Sequence, residues 1–148
     1  MAHRGIARLD TQGLTLIEIV VVIILLGLLA GLVGPRIFGR VSEAKSQTAR
    51  TQIELLGIAL DNYRLDNGQY PTTEQGLAAL WERPTREPAP RNWNAPYLKK
   101  PVPEDPWGQP YLYTSPGQHN TWSYDLLTLG RDGQPGGEGE DADITSWE

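Results

Sequence analysis

Apolar residues are distributed very unevenly along the chain. From Leu14 to Gly34 it reads LTLIEIVVVIILLGLLAGLVG, a block broken by a single charge, Glu18. About 20 residues at roughly 1.5 Å rise cover about 30 Å, the thickness of a bilayer core. From Ile37 to about Leu65 the pattern becomes amphipathic. Val41, Ala44, Thr48, Ile53, Leu56, Ala59, Leu60 and Tyr63 recur at spacings of mostly three and four, with Lys45, Gln47, Arg50 and Asp61 between them. That is helical periodicity. One helix is predicted from the apolar block to about residue 65, with Pro35 as the place for a kink. Asp66-Asn67-Gly68 ends it, Gly serving as the C-terminal cap. The apolar stripe of the second half needs a globular layer laid on it, which the rest of the chain must supply.

That remainder is rich in Gly and Pro after about residue 67 and should be loop-rich. Thr72 or Thr73 can cap a short helix running to about Trp81. Pro110-Tyr111-Leu112-Tyr113 and Trp122-Ser123-Tyr124-Asp125-Leu126-Leu127 read as two strands joined by a Gly/Pro/Asn loop, a predicted hairpin. A small antiparallel sheet packed on the helix stripe gives an α+β domain. Trp107 is expected in its small core.

Charge and composition narrow the function. The 148 residues carry a formal net charge of -5, with Lys and Arg scattered and the C-terminus acidic. A nucleic-acid binder would present a basic patch, so that class is set aside. The absence of cysteine excludes disulfides and thiolate metal sites. A small exported domain then needs another staple, such as a metal or oligomerisation. The histidines are His3, near the N-terminus, and His119, read as a surface residue in a turn. With no G-x-S-x-G motif either, no catalytic constellation emerges and an anchored hydrolase finds no support.

The apolar block admits three readings. A cleaved secretory signal has an apolar stretch of roughly 7–15 residues before a small-x-small site. This run is longer, and Ala30 is preceded two positions earlier by Leu28. An uncleaved anchor leaves Glu18 unexplained, since a carboxylate within a bilayer costs several kcal/mol. The third reading follows a resemblance. Gly13-Leu14-Thr15-Leu16-Ile17-Glu18 resembles the class III leader site of type IV pilins and pseudopilins, Leu14 standing where Phe is usual. The resemblance implies that residues 1–13, bearing Arg4 and Arg8, are a cytoplasmic leader removed after Gly13 by a membrane prepilin peptidase, which N-methylates Leu14. Residues 14–35 would be the transmembrane and polymerisation helix, and 36–148 the periplasmic domain. Glu18 would then meet the new amine of an incoming subunit, two opposite charges offsetting each other's burial. Gly27, Gly31 and Gly34 permit close helix approach in a membrane.

Three further stretches carry the resemblance. DNYRLDNGQYPTTEQGLAALWERP and Pro103-Glu104-Asp105-Pro106-Trp107-Gly108 are similar to segments of the major pseudopilins of type II secretion. So is the tail, Thr128-Leu129-Gly130-Arg131-Asp132-Gly133 with Asp141-Ala142-Asp143-Ile144-Thr145-Ser146-Trp147. The tail is acidic and Gly-rich, and Ca²⁺ takes roughly six to eight oxygens. It fits neither an EF-hand nor a tandem nonapeptide repeat. The resemblance implies a calcium-stapled loop with side chains from Asp132, Asp141 and Asp143 and carbonyls from Leu129 and Arg131. The choice among Glu138, Glu140, Asp141 and Asp143 is left open by their spacing.

The resemblance thus implies the major structural subunit of a type II secretion pseudopilus. This would be a homopolymer in the bacterial inner membrane, its C-terminal domain in the periplasm, whose growth drives folded proteins across the outer membrane. Its implied partners are minor pseudopilins, the prepilin peptidase, the inner-membrane secretion platform and inner-membrane lipid. An adhesive or DNA-uptake type IV pilin, the alternative, shares the N-terminus but would bring a Cys pair and no calcium loop.

Overall fold

The computed structural model of the chain describes residues 13–94 and 96–148; the expected leader, apart from Gly13, lies outside them. One helix, α1, spans Leu16–Asn67. Its start is a reciprocal cap. The Glu18 N–H donates to Thr15 Oγ1 at 3.3 Å, and the Thr15 N–H reaches Glu18 Oε2 at 3.5 Å. This T-x-x-E capping box satisfies backbone donors that a first turn leaves unpaired. Pro35 lies inside α1, which continues past it. At the far end the Gly68 N–H donates to the Arg64 carbonyl at 2.7 Å, the expected glycine cap.

Internal contacts divide the chain after Gly39. In the first unit the apolar half of α1 has no core of its own. Leu16 is 81% exposed and Leu28 66%, and none of its most apolar 18 residues is buried. It is long and apolar enough to cross a membrane. In the second unit, Arg40–Glu148, the buried face of α1 is Ala49, Ile53, Leu56, Gly57, Ala59, Leu60 and Tyr63. The stripe therefore starts later than its periodicity suggests: Val41, Ala44 and Thr48 are exposed. Periodicity marks a face that can be covered, while the reach of the packed layer decides how much of it is.

The covering layer is a three-stranded antiparallel sheet in the order β1 (Leu112–Thr114), β2 (Asp125–Thr128), β3 (Ile144–Thr145). Tyr113 pairs with Leu126, and Thr128 with Ile144. Leu126 and Ile144 join Leu77, Ala79, Leu80 and Tyr111 against the α1 face. The hairpin is present but starts two residues later than expected on β1 and three later on β2. The third strand was not anticipated.

The segment after Tyr70 also differs. Thr72 does cap, its Oγ1 accepting the Gln75 N–H at 3.2 Å, but it caps a single turn. Gly76, with φ of 62°, breaks that turn, and only a 3₁₀ segment, Leu77–Leu80, follows. Gln75 fastens the loop beyond by donating to the Arg86 and Pro88 carbonyls, each at 2.9 Å. Trp107 is only partly buried at the core margin, because its indole N–H is drawn to Glu140 Oε1 at 3.0 Å.

Candidate functional site, a C-terminal loop and an N-terminal cap

The C-terminal loop is built on Gly130. Its φ is 67°, and a Cβ there would lie 2.8 Å from the Glu140 carbonyl oxygen and 2.9 Å from that of Ala142. Only glycine brings the two ends of the loop this close. The Arg131 N–H then donates to the Glu140 carbonyl at 2.9 Å, closing the loop through the backbone.

The acids predicted to share one ion occupy separate positions. Asp132 Oδ1 accepts the Gln134 N–H at 3.0 Å. Asp143 Oδ2 accepts the Gly136 N–H at 2.9 Å, while its Oδ1 is buried with no partner. Asp141 is held by Arg131, whose Nε and Nη2 reach its two oxygens at 2.8 and 2.9 Å. That bond and the charge behind it push the Arg131 pKa further up. Glu140 Oε2 stands 3.4 Å from Arg131 Nη1, and its Oε1 lies 4.0 Å from Lys45 Nζ. The Arg131 carbonyl accepts a long bond from Gln109 Nε2 at 3.4 Å, and Leu129 is half-buried beside Gly130. Glu138 is exposed at the lip.

Among the described residues no group of three or more His, Cys, Asp and Glu is gathered as metal ligands. The donor chemistry nevertheless fits a hard cation in part. An orphaned, buried carboxylate oxygen at Asp143 is a group that burial penalises unless a cation or donor meets it. Asp141, with both oxygens on a guanidinium, does not fit.

Two buried carboxylates that the sequence did not single out organise the surroundings. Asp105, in the Asp-Pro-Trp-Gly turn, accepts the Trp107 and Gln109 N–H groups at 3.0 and 2.8 Å and also bonds the Thr128 hydroxyl. Asp125, 4% exposed, accepts the N–H groups of Gln118, His119 and Asn120 at 2.8 to 3.0 Å. The His119 ring Nδ1 lies 3.1 Å from the same carboxylate, and the ring stacks on Trp147 with centroids 4.1 Å apart. Burial pushes the Asp125 pKa up, but the hydrogen bonds outweigh it and hold the carboxyl below its usual range. His119 is exposed, as expected of a surface residue, yet it ties the hairpin loop to the C-terminal segment.

At the N-terminus Gly13 and Leu14 are exposed, and among the described residues the Glu18 side chain bonds Thr15. The family model described as "Type II secretion system (T2SS), protein G" matches residues 36–147. This chain belongs to that family. Among curated members it is 49% identical over 142 residues to the type II secretion system core protein G of Pseudomonas aeruginosa, spanning 95% of this chain and 98% of that one. The core protein G of Vibrio cholerae is 50% identical over 91% of this chain and 90% of its own. The crystal structure of the major pseudopilin of enterohaemorrhagic Escherichia coli superposes with a TM-score of 0.63 at 41% identity, covering 74% of this chain and 92% of that one. This protein G chain thus has the long helix and small antiparallel sheet of a known pseudopilin structure.

Proposed function

We propose that this chain is the major structural subunit of a type II secretion pseudopilus and not an enzyme. The observation that carries the proposal is an apolar half-helix with no internal core, starting at Leu16 just after Gly13-Leu14-Thr15, in a member of the protein G family. An exposed apolar helix of this length is stable only in lipid or among copies of itself. The prepilin peptidase cuts after Gly13 and methylates the Leu14 amine. The subunit resides in the inner membrane as a single-pass protein with its C-terminal domain in the periplasm. It adds to a homopolymer on the inner-membrane platform, with minor pseudopilins as partners. There the Leu14 amine of one copy meets Glu18 of the next, and the growing fibre moves folded proteins outward.

Calcium binding by the C-terminal loop belongs to the same proposal. Asp132, Asp143 and the carbonyls of Leu129 and Arg131 are its candidate ligands; Asp141, the third carboxylate expected, has both oxygens on Arg131. A bound ion would cross-link the ends of a loop that has no disulfide to do so.

The test of assembly is Glu18→Ala in cells carrying the secretion system. The variant should be processed to the same mature length as wild type and yield few or no fibres by electron microscopy. Fibres at the wild-type level would reject the pairing of Glu18 with the amine.

A further inference from the structure

Arg131 is the only Lys or Arg between Leu129 and Glu148. A guanidinium is planar, permanently charged and matched to a carboxylate in a two-bond fork. That fork is made in full with Asp141, and the third nitrogen reaches Glu140. Glu140 is in turn bonded by the Trp107 indole and faced by Lys45. Arg131 therefore ties the two ends of the loop together, and Glu140 carries the link on to the Asp-Pro-Trp-Gly turn and towards Lys45 of α1. The two other acids are engaged differently: Asp132 and Asp143 each accept one backbone N–H, and Asp143 retains a buried oxygen with no donor.

We infer that Arg131 is a resident cation of the C-terminal loop: it clamps residues 130–141 through Asp141 and Glu140, and it withdraws Asp141 from calcium, leaving Asp132 and Asp143 as the ion's carboxylates. This rests on the calcium reading above. A carboxylate cannot give both oxygens to a guanidinium and also coordinate a divalent ion without bringing two positive groups together. The loop then has two closing devices, one carried in the sequence and one taken from the medium. Calcium affinity follows the number of charged ligands, so the clamp sets it lower than three free acids would.

The experiment uses the full chain in detergent micelles, with calcium chloride titrated calorimetrically and melting followed in EDTA. D132N and D143N should each weaken calcium binding about tenfold or more, whereas D141N stays within about twofold of wild type. R131Q should melt lower in EDTA yet bind calcium about threefold tighter, because Asp141 is released. That gain should vanish in the double variant R131Q/D141N. In EDTA the losses from R131Q and D141N should be non-additive, as expected of a pair. R131K, which keeps the charge and loses the fork, should fall between wild type and R131Q. Equal calcium losses in D141N and D143N would overturn the ligand assignment. Additive losses in EDTA would overturn the clamp. A wild type that takes up no calcium would overturn the calcium reading and the assignment together, and the EDTA cycle would still decide the clamp.

Discussion

Glu18 carries two tasks that one substitution can separate. Its side chain completes the capping box with Thr15, and its charge is the proposed partner of the Leu14 amine. Glutamine serves equally well in a capping box but bears no charge. Glu18→Gln should therefore keep the helix start, yet assemble as poorly as Glu18→Ala in the fibre count; recovery of fibres would assign the residue to the cap. Asp125 offers a second residue-scale prediction. Its pKa is lowered in the folded state, so its stabilisation is fully present above the ordinary value of 3.8 and is lost as pH falls through the folded value. The difference in unfolding free energy between wild type and Asp125→Asn should be constant near neutrality and shrink below about pH 4. A difference growing toward acid pH would contradict the sign. Glu18 stood out in the sequence because a charge in an apolar block is costly, whereas its cap with Thr15 was not read there. Asp125 did not, because its burial depends on a loop five to seven residues earlier folding back to present three N–H groups. Arg131 as a clamp was equally hidden: spacing alone does not tell a loop acid that faces a guanidinium from one that faces water.

At the scale of elements, α1 was readable from its periodicity and from the Asn67-Gly68 stop, since both signals are local. The extent of its buried face was not, for Val41 and Thr48 continue the stripe where no layer covers it. The hairpin was readable from two β-rich runs around a turn. β3 was not, because two residues have no period and their pairing with Leu127 and Thr128 is a contact across sixteen positions or more. The joint between α1 and the sheet is tested at Leu60, which is fully buried. Leu60→Ala removes methyl groups from a packed centre and should cost about 2–5 kcal/mol in denaturant unfolding of the full chain in micelles. The exposed Leu55→Ala on the same helix should cost well under about 1 kcal/mol. Similar costs at the two positions would mean that the sheet does not pack as described.

For the whole molecule, the absence of cysteine and the modest size of the core leave stability dependent on loop closure and assembly. Chelation by EDTA should lower the melting temperature of the full chain, and added calcium should restore it with the concentration dependence of ligand linkage. A melting temperature indifferent to both would remove calcium from the account. Retention of the apolar half of α1 in the mature subunit matters most. It is decided by N-terminal sequencing, with intact mass, of the protein recovered from membranes of cells that make the secretion system. The account predicts a chain starting at N-methylated Leu14 that keeps every residue to Gly34; a mature, water-soluble product beginning beyond Gly34 would contradict it.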